Sequence, residues 1–93
     1  MDTAKKYVIS GRVQGVGFRF FAERVANQLA LRGYVRNLDD GNVEVYAIGP
    51  EAALEEFKRL LSDGPRGARV ASVEESEAPV IHRYKRFEIE GFW

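Results

Sequence analysis

The period of the hydrophobic pattern changes along these 93 residues, and this change constrains the fold more than any other feature. The stretch "KKYVISGRV" is rich in Tyr, Val and Ile and predicts a strand of about six residues that ends at Gly11. From Phe18 onward, apolar residues recur at three- and four-residue steps, which predicts an amphipathic helix that Gly33 terminates. A strand and a helix therefore succeed each other within the first third of the chain.

The same alternation continues through the middle of the chain. "GYVRN" and "NVEVYAIG" predict two strands, and the Asp-Gly pair in "LDDG" between them predicts a hairpin. A second helix is predicted with Pro50 in its first turn, where the fixed φ of proline is suitable. Its buried stripe consists of Leu54, Phe57 and Leu61, and "SDGPRG" ends it.

The last third of the chain predicts two more strands, "ARVASVEES" and "RFEIEGF", separated by "EAPVIHRYK" as a loop or a ragged strand end. The element order is β-α-β-β-α-β with an extra strand near the end. This order predicts a ferredoxin-like α+β sandwich, in which two helices cover one face of a mainly antiparallel sheet and the other face is partly open. We expect a single domain over residues 1–93.

Composition limits the classes of function. Fourteen basic and fourteen acidic side chains cancel, so the chain has no overall field that would gather polyanions or anionic membranes. There is no cysteine, which excludes disulfides and thiolate metal sites. No apolar run approaches the roughly 18 residues of a membrane span. These features predict a soluble cytoplasmic protein that binds any anion locally.

The stretch "SGRVQGVGFRFF" is the candidate for such local binding. Its glycine spacing matches neither the phosphate-binding loop of nucleotide hydrolases nor the dinucleotide fingerprint. Gly15 and Gly17 can adopt positive φ, so that successive N–H groups form an anion nest beside the start of a helix, and Arg19 could add a bidentate contact. Alternatively, the two glycines only turn the chain and Arg19 is solvated, and composition alone does not decide between these interpretations.

A family resemblance becomes specific when "GRVQGVGFR" is followed, after one helix, by "GYVRNLDDGNVE". Together they resemble the two signature segments of the acylphosphatase family, and "GPRGARVASVE" and "FEIEGF" fall where that family has its second-helix exit and last strands. The resemblance covers the chain from about Lys6 to Phe92. Tyr34 and Asn42 depart from the common residues of the motifs, and "VEVYAIG" lacks a glycine often found in that strand. These departures concern substrate preference and edge packing rather than activity.

The resemblance implies an enzyme that hydrolyses small acyl phosphates to a carboxylate and inorganic phosphate, as a monomer, without metal or other cofactor, nucleic acid or membrane. It implies that Arg19 binds the substrate phosphate and that Asn37 positions the attacking water. The backbone that would form the phosphate cradle belongs to five consecutive residues: Gln14, Gly15, Val16, Gly17 and Phe18. From the residues alone, a polar strand end beside a hairpin is the favoured interpretation of Asn37.

Two other functions compete with hydrolysis. An RNA-recognition domain has the same size and element order, but "NVEVYAIG" lacks the aromatic signature of its third strand, and the net charge is zero. A sensing domain could keep the anion pocket without turnover, although the presence of both Arg19 and Asn37 argues against it.

The remaining polar and aromatic residues suggest no further chemistry. His82 is interpreted as a loop residue, and Asp39 and Asp40 as turn residues rather than a cation site. The stretch Glu74 to Glu77 is interpreted as a solvated edge that discourages aggregation. Arg12 either supports anion binding or faces solvent, and Phe92 and Trp93 either pack on the sheet or lie over the rim of the site.

Overall fold

The computed structural model describes residues 1–91 and contains two helices and five strands in that range. In chain order these are β1 (Asp2–Arg12), α1 (Phe18–Gln28), β2 (Arg32–Asn37), β3 (Val43–Pro50), α2 (Glu51–Asp63), β4 (Arg69–Ala78) and β5 (Phe87–Ile89). The strands form one sheet in the order β4-β1-β3-β2-β5. Neighbours are antiparallel except for β2 and β5, which are parallel. The predicted ferredoxin-like α+β architecture is confirmed. Phe92 and Trp93 lie outside the described residues.

The main core lies between the sheet and the two helices. Alternation along β3 directs Val43, Val45 and Ala47 into this core, where the apolar stripes of both helices cover them. The stripe predicted for α2 is confirmed, because Leu54, Phe57 and Leu61 are all buried. Neither helix in residues 1–91 is long and apolar enough to cross a membrane.

The opposite face of the sheet is less open than predicted, because the segment between β4 and β5 covers part of it. The rings of Tyr34, Tyr46 and Tyr84 lie 5.5–5.8 Å apart between their centroids. The hydroxyl of Tyr46 donates to the Pro79 carbonyl and accepts from the Ile81 N–H at 2.9 Å. These contacts bury Tyr46 and Tyr84 in a second, smaller apolar cluster.

Three predicted boundaries were wrong. Strand β1 does not end at Gly11 but continues to Arg12 through an irregularity in its pairing with β4. Helix α1 ends at Gln28, well before Gly33, which instead lies inside β2. Pro50 is the residue before α2 rather than part of its first turn, since its ψ of 146° is extended. The sequence pattern located each element but not its ends.

Gly33 is required by a close approach of two strands and not by the end of a helix. Its φ is 140°, and a Cβ atom at this position would lie 1.8 Å from the carbonyl oxygen of Tyr46 in β3. Only glycine can occupy such a position. The helix end that Gly33 was predicted to provide is supplied by Ala30, whose φ is 58°.

Candidate active site

The glycine-rich loop between β1 and α1 is anchored by a buried side chain at each end. Val13 and Phe18 are each 1% exposed and belong to the main core. Between them, Gly15 and Gly17 have φ values of 74° and 79°, in the left-handed region that glycine favours. A Cβ atom at either position would have no neighbour within 4 Å, so the backbone conformation rather than crowding selects glycine here. The loop therefore presents its backbone to an open surface.

Helix α1 begins directly at this loop, with Gly17 as its N-cap residue. The first turn contains no acidic residue, and no side chain caps it. Its leading N–H groups lie too early in the helix to have intrahelical acceptors, and the helix dipole places partial positive charge at this end. Left-handed glycines followed by a helix N-terminus form an arrangement that favours a bound anion.

The predicted phosphate-binding residues differ in what they present to this loop. Phe18 contributes only backbone, because its side chain is buried, and Val16 is partly buried against the main core. Arg19 follows in the first turn of α1 with a half-buried side chain. Burial lowers the pKa of the Arg19 guanidinium from its usual value, but an arginine remains charged at neutral pH. A permanent positive charge therefore lies at the positive end of the helix.

Asn37 is the last residue of β2 and pairs with Val43 at the start of β3. Among residues 1–91, its Oδ1 atom is one of two buried side-chain oxygen or nitrogen atoms without a hydrogen-bond partner. A buried acceptor is costly unless it is hydrogen-bonded, so such an atom calls for an explanation. The side-chain Oδ1 atom of Asn37 is suited to accept a hydrogen bond from a water molecule or a substrate.

The side chain of Gln14 connects the glycine loop to the β2–β3 turn. Its Nε2 atom donates to the carbonyl oxygens of Leu38, at 2.8 Å, and of Asn42, at 2.9 Å. Gln14 and Asn37, together with Leu38 and Asp39, line one surface depression. The structure therefore brings together residues of the two sequence motifs that are 23 positions apart. Sequence analysis assigned only the backbone of Gln14 and missed this contact, which no local pattern indicates.

The β2–β3 turn is built by its own polar residues, as predicted for the Asp-Asp-Gly segment. Asp40 accepts hydrogen bonds from the backbone N–H of Asn42 at 3.0 Å and from its side chain at 3.3 Å. Within residues 1–91, no group of three or more His, Asp or Glu side chains is placed to hold a metal ion. The turn explains Asp40, whereas Asp39 is exposed beside Asn37.

The other residues weighed in the sequence lie outside this region or at its margin. His82 is exposed in the segment between β4 and β5, as predicted. Arg12 is exposed at the end of β1, paired with Arg69 of β4. A pocket of about 630 Å³ is lined by Arg83, Tyr84 and neighbours up to Glu90, and contains none of the predicted site residues.

The tyrosine cluster also bears on the RNA-binding alternative. An RNA-recognition domain needs aromatic rings exposed on the open face of its sheet, where bases stack on them. Tyr46 is only 2% exposed, because Tyr84 and the segment after β4 cover it. This face therefore offers no aromatic platform at Tyr46.

Comparison with known proteins gives consistent matches along the chain. The profile of the acylphosphatase family matches residues 5–89. The acylphosphatase of Solibacter usitatus is 54% identical over 86 residues, which cover 92% of this chain and 88% of that protein. The crystal structure of the acylphosphatase from Bacillus subtilis has a TM-score of 0.91 at 37% identity, and covers 98% of this chain and all of that one.

A larger protein also contains a similar unit. The crystal structure of HypF from T. kodakarensis matches with a TM-score of 0.80 at 34% identity. The match covers 99% of this chain but only 12% of the HypF chain.

Proposed function

This chain belongs to the acylphosphatase family and is an enzyme that hydrolyses acyl phosphates, and on that premise we propose which of its residues carry out the reaction. The backbone N–H groups of Gln14 to Phe18 and the Arg19 guanidinium bind the phosphoryl group. Asn37 positions the water that attacks phosphorus. The observation that carries this assignment is that Asn37, whose Oδ1 atom has no hydrogen-bond partner, lines one surface depression together with Gln14 of the glycine loop.

The cradle supplies the positive charge that the reaction requires. In phosphoryl transfer, negative charge is spread over the oxygens of the transferred group, and catalysis depends mainly on holding those oxygens and aligning the nucleophile. The left-handed backbone at Gly15 and Gly17 suits an anion nest, and the start of α1 adds further donors. Arg19 contributes a fixed charge with two donors in a fork geometry that fits two phosphate oxygens.

The leaving group determines which catalytic groups are unnecessary. A free carboxylic acid has a pKa of about 4, so the carboxylate departs without being protonated and no general acid is required. The Asn37 amide can accept a hydrogen bond from water through Oδ1 but cannot remove a proton outright. We therefore propose that an oxygen of the substrate phosphate receives the proton of the attacking water.

Asp39 is the alternative proton acceptor. Asp39 lines the same depression as Asn37, and a carboxylate at that place could act as a general base. The two routes predict different behaviour, because only the route through Asp39 requires an enzyme carboxylate.

We also propose that residues 1–93 act as one domain, in the cytoplasm, as a monomer, on small acyl phosphates and without metal or other cofactor. The chemistry supports metal independence, because the guanidinium and backbone dipoles can supply the charge stabilisation and the leaving group is already good. The formal net charge of zero supports a small substrate rather than a polyanionic partner.

Hydrolysis of benzoyl phosphate in the presence of EDTA tests the proposal. We expect metal-independent turnover that falls by about a hundredfold or more in Arg19→Ala and in Asn37→Ala. Arg24→Ala and Asn27→Ala are the matched controls, because both residues are exposed on α1 beyond its first turn, and both variants should retain wild-type activity. Circular dichroism of each variant establishes that it is folded.

The same panel distinguishes the two proton acceptors. With the substrate phosphate as acceptor, Asp39→Asn stays within about threefold of the wild type and kcat is flat across neutral pH. A large loss in Asp39→Asn, or a steep pH limb that this variant removes, would assign the proton to Asp39. Retained activity in Arg19→Ala or Asn37→Ala would contradict the assigned roles.

A further inference from the structure

The carboxamide of Gln14 uses both of its N–H donors on the β2–β3 turn. The two acceptors, Leu38 and Asn42, are the residues that open and close this turn, and they are 24 and 28 positions away in the chain. They are also bonded to each other, because the Leu38 N–H donates to the Asn42 carbonyl at 2.8 Å. The Gln14 side chain therefore bonds both ends of the β2–β3 turn at once.

This contact joins the two halves of the proposed site. On one side, Gln14 lies in the glycine loop, one residue before the left-handed Gly15 and one after the buried Val13. On the other side, Leu38 follows Asn37 directly, so that its carbonyl is fixed next to the residue that carries the unbonded Oδ1 atom. One glutamine side chain thus bridges the loop and the turn that follows Asn37.

We propose that the Gln14 side chain is a positioning residue, which aligns Asn37 and its water with the phosphoryl group in the loop. This inference rests on the proposed function. Alignment errors of about 1 Å can reduce a reaction rate about a hundredfold. The Gln14 backbone and the rest of the cradle do not depend on the side-chain amide, so its loss lowers kcat and leaves phosphate binding nearly intact.

Gln14→Glu provides a readout that a merely structural role would not produce. The substitution keeps the shape of the side chain, but an ionised carboxylate has no proton to donate and directs negative charge at two carbonyl oxygens. A protonated carboxyl group restores one donor. Asp39, which lines the same depression, and Asp40, which binds Asn42 in the turn, oppose its ionisation, whereas Arg12 and Arg19, nearby in the chain, favour it. Activity should therefore rise when this variant is acidified.

The experiment measures kcat and KM for benzoyl phosphate, and the inhibition constant of inorganic phosphate, between about pH 4 and pH 8, which spans the ordinary range of a carboxyl pKa. In Gln14→Glu at the upper end, we expect kcat to be about ten- to a hundredfold below wild type, with KM and phosphate inhibition within about threefold. Towards the lower end, kcat should recover by about tenfold relative to wild type at the same pH. Gln28→Glu, the same change at the exposed end of α1, should match the wild type.

Gln14→Met keeps the experiment decisive if the glutamate variant does not fold at high pH. It has a similar shape, no charge and no donor, so kcat should be low at every pH and should not recover in acid. The positioning role would be overturned if phosphate inhibition weakened in parallel with kcat. It would also be overturned if the kcat of Gln14→Glu did not respond to pH. If the wild-type enzyme shows no turnover, or if its turnover does not depend on Arg19 and Asn37, the proposed function is contradicted instead.

Discussion

Glu44 is the one buried charged residue within residues 1–91, with 7% of its surface exposed. Its carboxylate accepts hydrogen bonds from the Tyr34 hydroxyl and from Nη2 of Arg36, which lies 3.2 and 3.3 Å from its two oxygens. Burial opposes ionisation of Glu44, but the hydrogen bonds from Tyr34 and Arg36 outweigh it and hold the pKa below the usual 4.5. The ionised form of Glu44 is therefore favoured in the folded protein.

This arrangement predicts how stability depends on pH. Because the pKa of Glu44 is lower in the folded than in the unfolded protein, its contribution is present above the usual value of 4.5 and is lost as pH falls through the folded pKa. We expect the free energy of unfolding, measured by urea titration, to decrease less steeply below that pH in Glu44→Gln than in the wild type. Glu74→Gln, at an exposed position, should keep the wild-type slope. Equal slopes for all three proteins would show that Glu44 does not carry this dependence.

Single residues also show where sequence reasoning stops. Arg19 and Asn37 could be selected because they fall in ordered motifs, whereas nothing near Glu44 indicates that it is buried. Its strand alternates like any half-exposed strand, and the two side chains that bind its carboxylate, Tyr34 and Arg36, lie in the neighbouring strand β2. The Gln14 contact is hidden for the same reason, because its two acceptors are backbone atoms that the fold brings close.

Helix α1 ends with an alanine where glycine is the usual residue. The Leu31 N–H bonds back to the Ala26 carbonyl at 2.9 Å and the Ala30 N–H to Asn27 at 3.1 Å, which is the hydrogen-bond pattern of a Schellman motif. The residue in the left-handed position is Ala30, with a φ of 58°. A residue with a Cβ atom is destabilised by roughly 1–2 kcal/mol in this conformation.

Replacing this alanine should therefore stabilise the protein. We expect Ala30→Gly to raise the free energy of unfolding by about 0.5–1 kcal/mol, since the relief of strain exceeds the entropy that glycine adds to the unfolded chain. Ala52→Gly, at an exposed position in the first turn of α2, should lower it, because glycine adds entropy to the unfolded chain and relieves no strain there. Chemical denaturation measures both, and destabilisation by Ala30→Gly would show that this helix end is not strained.

The elements themselves were predictable because hydrophobic period is a local property of the sequence. Their ends were not, since tertiary contacts decide them. Gly33 is the clearest case, because a glycine after an apolar helical pattern is normally a helix stop, yet here it admits the carbonyl of Tyr46. The same limit applies to Gly11, where a Cβ atom would lie 2.1 Å from the Arg69 carbonyl in β4.

At the scale of the whole molecule, the sheet has two edges of different length. β5 is a three-residue edge, whereas β4 is a ten-residue edge and carries Glu74, Glu75 and Glu77. The prediction that this glutamate-rich stretch forms an edge is confirmed. Glu75 also has a structural role, because it binds Lys5 of β1 at 3.3 Å and Lys58 of α2 at 3.2 Å. The Glu77 side chain is 85% exposed, against 33% for that of Glu75, and Glu74 is also exposed.

A long edge strand presents unpaired backbone donors and acceptors to other molecules, and charged side chains discourage such pairing. We expect the double variant Glu74→Gln/Glu77→Gln to aggregate several-fold faster than the wild type, by light scattering at a temperature well below unfolding. Glu51→Gln/Glu55→Gln makes the same change in net charge on α2 and should aggregate no faster than the wild type. Because the formal net charge of the wild type is zero, both double variants become equally cationic. Overall charge repulsion therefore cannot cause a difference between their aggregation rates. Equal acceleration in the two would attribute the effect to net charge, whereas acceleration confined to the β4 variant assigns it to the edge of the sheet.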